Sequence, residues 1–206
     1  MLSKFVSLLA LMAATASAQN QTGPFAVKIT GKTNSSIDGY LTTCHAGAAI
    51  EALCYGTSDT SSNYNQFYYN YSSYSPDTGE VYQPGYLIWN LPLNDGSGTI
   101  QNVSSAVNIQ PNWGSNVAAA LFQPSYYDAT YFSFDSNGTF FLSGGVDDAS
   151  FNETRPMTPT YLGDLTNFHL CYQYTGGYYY QSIAWVFTLP PRNPTCQPVN
   201  LTKVAL

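Results

Sequence analysis

Apolar and polar residues alternate along much of this chain over short runs, and turn-forming residues interrupt them often. Runs rich in β-branched and aromatic residues between frequent breaks are the pattern of an antiparallel β-sandwich or barrel. Phe25–Gly31 reads as a first strand, Gly85–Leu91 as another stopped by Pro92, and Ala118–Gln123 as a third stopped by Pro124. Thr57 to Asp77, polar and rich in Tyr, Ser and Asn, reads as a long loop or irregular strands.

Two hairpins can be placed in more detail. Between Tyr131 and Leu142, Asn137-Gly138 separates two aromatic runs, and both positions tolerate positive φ. Between Phe168 and Phe187 the turn falls at Gly176-Gly177, so Thr175 pairs with Tyr178 and the register follows outward. One face then carries Phe168, Leu170, Ile183 and Trp185, with Tyr174 beside Tyr179, and is expected to be core. The other carries His169, Cys171, Gln173, Tyr178, Tyr180 and Ser182. Cys171 should face away from Trp185, toward whatever the segment from Pro190 to Cys196 covers. One helix is expected, Ala46 to Leu53, because Ala and Leu are good helix formers, Thr42 or Thr43 could cap it and Gly56 could end it. The expectation is an all-β domain over residues 19–206, an antiparallel, jelly-roll-like sandwich with that short N-terminal helix.

The N-terminus reads differently. Lys4, an apolar stretch from Phe5 to Ala14, and the small-x-small triplet Ala16-Ser17-Ala18 have the order of a secretory signal peptide, so residues 1–18 are expected to be removed. The stretch is far shorter than the roughly 20 residues needed to span a bilayer. Val199 to Leu206 lacks the long apolar tail of a GPI signal. A released, soluble, extracellular protein is expected. Seven Asn-x-Ser/Thr sequons agree with that compartment: Asn20, Asn34, Asn70, Asn102, Asn137, Asn152 and Asn200.

Four cysteines in an exported chain suggest two disulfides, with three connectivities possible. The pairs nearest in sequence, Cys44–Cys54 and Cys171–Cys196, are favoured. A continuous helix would rise about 15 Å over ten residues, too far for a disulfide. Cys44 and Cys54 can therefore pair only across a short helix with bent ends or a loop.

Charge narrows the function. Charged residues make up 9% of the chain and the formal net charge is −6. Lys and Arg total six, one of them Lys4, which leaves five scattered through the expected mature part. No basic patch can form, so neither nucleic acid nor an anionic membrane is an expected partner.

The segment Cys44-His-Ala-Gly-Ala-Ala-Ile-Glu-Ala-Leu-Cys54 and the C-terminal Arg192-Asn-Pro-Thr-Cys196-Gln-Pro-Val-Asn-Leu201 resemble elements of a group of small secreted proteins of filamentous fungi. That group is mostly uncharacterised, and some proteins placed near it elicit plant defence. The resemblance implies a fungal extracellular protein and supports the disulfide pairing. It supplies no catalytic residue.

Candidate chemistry is sparse. There is no Gly-x-Ser-x-Gly elbow, and only His45 and His169 could serve as a base; a structural role is expected for both. A disulfide-bonded Cys44 cannot be a thiolate nucleophile. Asp147-Asp148 could join a calcium site but reads better as a solvated turn, and no metal or cofactor is expected. A glycosidase needs two carboxylates about 5–9.5 Å apart. Glu51, Glu80, Asp128, Asp135, Glu153 and Asp164 show no paired spacing within an aromatic strand.

Tyrosine is abundant, and Tyr68, Tyr69, Tyr71, Tyr74, Tyr82, Tyr86, Tyr126, Tyr127, Tyr178, Tyr179 and Tyr180 lie in or beside loops and strand ends. A flat ring with a polar handle suits a sugar or a protein partner. Tyr178 and Tyr180 are the first candidates for ligand binding, and Tyr68 to Tyr74 the second. The expected function is therefore a non-enzymatic extracellular protein that binds a glycan or host component. The alternative is a polysaccharide-active glycoside hydrolase.

Overall fold

The computed structural model describes residues 20–56, 61–72, 83–94, 96, 98–153 and 158–206, so the expected signal peptide lies outside the described residues. Ten strands hydrogen-bond into one antiparallel sheet. In chain order they include β1 (Asn20–Gly31), β2 (Asp38–Gly47), β3 (Ile50–Gly56), β4 (Phe67–Tyr71), β5 (Gly85–Asn94), β6 (Ile100–Gln110) and β7 (Val117–Gln123). Short strands follow: β8 (Ser133–Phe134), β9 (Phe140–Ser143), β10 (Val146–Asp147), β11 (Thr160–Tyr161) and β12 (Asp164–Leu165). The sheet is completed by β13 (Phe168–Thr175), β14 (Tyr178–Val186) and β15 (Gln197–Ala205).

The all-β expectation holds, but the sheet closes on itself where a two-sheet sandwich was expected. Pairings run from β1 through β4, β5, β6, β7, β14, β13 and β15 back to β1. The β2–β3 hairpin bridges that circuit. β2 pairs with β1 at Lys28–Thr30, and β3 pairs with both β14 and β7. Closure leaves these strands few bare edges to recruit another chain.

Every strand of the circuit turns alternate residues inward, and these form one core. Val27 and Ile29, Phe67 and Tyr69, Leu87 and Trp89, Ala120 and Phe122, Phe168 and Leu170, Ile183 and Trp185, and Val199 and Leu201 all belong to it. Phe67 stacks on Phe122 at 5.7 Å between ring centroids. Each fully buried side chain of this size contributes on the order of 1.5–3 kcal/mol. The aromatic alternation Phe67, Tyr69, Tyr71 makes β4 a regular strand inside the segment read as a long loop or irregular strands. Strand β5 also runs past Pro92 to Asn94. β4 reaches only as far as Ile88 along it, so Pro92 sits where β5 has a neighbour on one side alone, a position that tolerates proline.

The expected helix over Ala46–Leu53 is not formed. Those residues end β2 and begin β3, which turn at Ala48-Ala49, with Ala49 at φ +58°. A helix of eight residues has too little propensity to form alone, and the hairpin buries Leu41 and Leu53. It also places Cys44 and Cys54 diagonally across two strands, with Cα atoms 5.9 Å apart and a disulfide between them. Neither of the two geometries expected for that bridge, bent helix or loop, is the one used.

Both disulfides lie outside the main core, each in its own small apolar cluster. Cys54 packs with Ala46, Ala52 and Leu121. Cys171 and Cys196 are bonded to each other and buried with Val117, Ala184 and Val186. Cys171 faces away from Trp185 as expected. The Asn193-Pro-Thr-Cys196 element holds its loop against β13: Tyr172 donates its backbone N–H to Thr195 Oγ1 at 2.9 Å, and Asn193 Nδ2 donates to the Tyr172 carbonyl at 2.8 Å. These bonds continue the edge of β13 where β15, paired only at His169 and Leu170, leaves off.

The register of the β13–β14 hairpin is the expected one, from Phe168 opposite Trp185 to Thr175 opposite Tyr178. Gly176 and Gly177 both have positive φ, +62° and +95°. In the other predicted hairpin, between β8 and β9, only Gly138 of the pair does. There Asp135 Oδ1 accepts the backbone N–H groups of Asn137 and Thr139, both at 2.8 Å.

Gly176 also lies against β2, where an added Cβ would come within 1.5 Å of the Ala46 carbonyl oxygen; one at Gly177 would meet nothing within 4 Å. Gly177→Ala should therefore cost about 1 kcal/mol for the left-handed backbone alone. Gly176→Ala should cost at least about 2 kcal/mol, because the two hairpins must separate. Urea unfolding with the disulfides intact measures both, and equal losses would show that the hairpin tip is not held against β2.

Candidate functional site

The β13–β14 hairpin is longer than the core it covers. Its inner half is buried, whereas Tyr172, Tyr174, Tyr178 and Tyr179 stand exposed at its outer half, Tyr179 at 78%. Tyr174 and Tyr179 were expected on the core face. They keep the parity of that face but lie beyond the barrel, with rings 4.7 Å apart. On the other side, Tyr178 stacks on Tyr180 at 5.9 Å with planes 17° apart. Tyr180 is half-buried because it packs on the cluster around Cys44 and Cys54. The disulfide hairpin thus supports one ring, and that ring supports the next.

His45 joins this group, its ring edge-on to Tyr178 at 5.4 Å. Its Nδ1 lies 3.4 Å from Oε1 of Glu51, directly across the β2–β3 ladder. Burial of Glu51 raises its carboxyl pKa above the ordinary value of 4.5, and the hydrogen bond and charge of His45 oppose that rise. His45 is therefore a surface partner to a buried acid. His169 is buried opposite Ala184, with Nδ1 3.0 Å from the Asn167 carbonyl, and burial lowers its pKa. It is held as a neutral structural group.

The second-choice tyrosines divide between the two faces of β4. Tyr69 is core, its hydroxyl within 2.7 Å of the carbonyls of Gln83 and Phe132, and burial raises its pKa strongly. Tyr71 stacks on it at 5.7 Å. Tyr68 points outward, while Tyr74, Tyr82 and Glu80 lie outside the described residues. A further outward cluster joins Tyr86 to Tyr131 at 4.5 Å and to Tyr126 at 5.3 Å. Burial, and then the hydrogen bond and charge of Tyr131, push the Tyr86 phenol up to about 12.

The remaining candidate acids that are described serve turns or lie in solvent. Asp147 Oδ1 accepts the Ala149 N–H, capping the short 3-10 segment Asp148–Ser150, and Asp135 holds the β8–β9 turn. Asp128, Glu153 and Asp164 are exposed. Among the described residues, no three His, Cys, Asp or Glu side chains are grouped to hold a metal ion. Of the sequon asparagines, Asn20, Asn34, Asn102, Asn137 and Asn152 are exposed, whereas Asn70 and Asn200 are half-buried within paired strands.

Trp113 was not among the anticipated exposed aromatics. Trp113 is fully exposed in the turn between β6 and β7, at the end of β14 remote from the tyrosine tip. Phe187 and Leu189 are exposed in the neighbouring loop, where Asn116 binds the Thr188 and Pro190 carbonyls. The Pro111-Asn-Trp-Gly-Ser115 sequence, a turn with a large apolar ring at its centre, was the available signal.

No protein-family model matches the chain, and no curated protein or solved structure does either.

The Glu51 geometry sets a pH dependence. Its raised pKa means the folded state binds this proton more tightly than the unfolded chain does, so the stabilisation is present at low pH and is lost as pH rises through the folded pKa. Glu51→Gln should therefore gain stability relative to wild type over the range in which Glu51 ionises, from about pH 4 upward. Thermal unfolding across that range checks it; a variant that loses ground as pH rises would show that the His45 ion pair outweighs burial.

Proposed function

We propose that this chain is a non-enzymatic, secreted fungal glycoprotein of the cell wall or apoplast. On this reading it binds a glycan or host component through the β13–β14 tip and serves as an effector or an elicitor of plant defence. The observation that carries this reading is the set of tyrosine rings held in solvent at the end of a hairpin that is anchored against β2. Tyrosine offers wide, rigid contact area at low conformational cost, because few torsions are frozen on binding. Stacking of Tyr178 on Tyr180 and contact with His45 reduce that cost further.

Several features support the extracellular setting. Two disulfides fit an oxidising compartment. No helix among the described residues is long and apolar enough to cross a membrane. Five exposed sequon asparagines could carry glycan without disturbing the barrel. The two disulfide-bearing elements that resemble those of secreted fungal proteins both act as supports in the fold, one beneath Tyr180 and one along β13. That use fits a shared scaffold better than a shared catalytic centre.

The experiment is a pull-down of the secreted protein on insoluble chitin, β-glucan, mannan, xylan and cellulose, with supernatants assayed for released sugar. Retention on one polymer without release is expected, and Tyr178→Ala should weaken it about tenfold or more. Release of sugar would overturn the non-enzymatic reading. Retention unchanged in Tyr178→Ala but lost in Trp113→Ala would move the site to the opposite end of β14.

A further inference from the structure

A cleft of about 120 Å³ opens on the outer face of β4–β6, lined by Asn63, Gln66, Tyr68, Asn90, Pro92 and Asn102. Its position follows from the pleat. Leu87, Trp89 and Leu91 turn into the core, so Asn90 and Pro92 face out. Asn102 is the direct cross-strand partner of Pro92, which brings their Cβ atoms to within about 5.5 Å. One wall is the short 3-10 segment Asn63–Asn65. It is pinned from inside by Trp89, whose indole N–H donates to the Asn63 carbonyl at 2.9 Å, and Ser62 caps its start. The cleft is therefore preformed, and none of the described residues lining it is charged.

Its size and lining select a ligand. The volume holds on the order of ten waters and falls below the roughly 300 Å³ at which drug-sized ligands are enclosed. Carboxamides offer both donors and acceptors, and Tyr68 and Pro92 offer apolar ring faces. That combination matches a neutral sugar ring, with hydroxyls around its rim and C–H groups on its faces. One lining residue, Asn102, begins the sequon Asn102-Val-Ser104 and is exposed. Asn70, on the same sheet face, differs: its Oδ1 accepts from Gln21 Nε2 at 2.6 Å, and its Nδ2 lies 3.4 Å from the Tyr126 hydroxyl.

We propose that this cleft seats the inner sugars of an N-linked glycan carried on Asn102 itself. The proposal rests on the glycoprotein reading above and adds where one glycan goes. A tether raises the effective concentration of the glycan at the cleft to the millimolar range, so a seat too weak to capture a free sugar is still filled. The filled cleft is closed to external saccharides, which leaves the tyrosine tip as the open binding surface.

The test uses protein secreted from a glycosylating host. Glycopeptide mapping establishes occupancy at each sequon. An endoglycosidase that cuts between the innermost sugars is then applied to native and to unfolded protein. The Asn102 glycan should be released about tenfold more slowly from native protein than from the unfolded chain, and more slowly than a glycan on the exposed Asn137 turn. Tyr68→Ala should bring the native-to-unfolded difference below about threefold, and Asn90→Ala should reduce it in the same direction if Tyr68→Ala does not fold. Equal release from native and unfolded wild type overturns the proposal, as does protection that both variants leave intact. An empty Asn102 beside other occupied sequons removes the occupant and also overturns it. Absence of glycan at every sequon would instead sink the glycoprotein reading beneath it.

Discussion

The structure depends on a closed hydrogen-bond circuit around one file of inward-facing side chains. A strand buries only alternate residues, so each contributes two or three large groups, too few to hold it alone. Closure brings these files together at one centre, where Trp89, Phe122, Phe67 and Ile183 are fully buried. It also satisfies the strand edges, with β1 shared among β15, β2 and β4. A chain with so few charges has little electrostatic protection from self-association, and edge closure supplies a geometric one.

Closure also decides where the chemistry can be. With the interior filled, ligand contact falls to the outer faces, turns and hairpin tips. The two disulfides lie on that outer side, each filling a small apolar cluster that the barrel core does not reach. The Cys44–Cys54 bridge thereby becomes the floor under Tyr180, and the clash that an added Cβ on Gly176 would make with Ala46 shows how closely the tip is seated. The same contacts that stabilise the fold preorganise the exposed rings.

His45 and Glu51 lie beside the tyrosine tip. Glu51 is one buried carboxylate facing one histidine, an arrangement that can hold a hydroxyl. Of the other candidate acids that are described, Asp135 is committed to a turn and Asp128, Glu153 and Asp164 stand in solvent.

Local chemistry determined much of this protein by itself. The β13–β14 register followed from two adjacent glycines, because a two-residue turn fixes every pair outward from it. The placement of Cys171 on the outer face was legible for the same reason, since period-two alternation assigns faces once the register is known, whereas the disulfide pairing followed from nearness in sequence and from the resemblance. Tyr178 and Tyr180 were legible as outward residues of that hairpin, though not their neighbours. Only the tertiary structure decided how far the core extends along the hairpin, and so that Tyr174 and Tyr179 stand in solvent despite their inward parity. Only it decided that the Ala-rich segment 46–53 is a β-hairpin: eight residues of helix propensity are worth less than the ladder, the buried Leu41 and Leu53, and the packing that β1, β7 and β14 provide. Closure of the sheet, the meeting of His45 with Tyr178, and the cleft beside Asn102 all join residues distant in sequence, and no local pattern encodes such contacts.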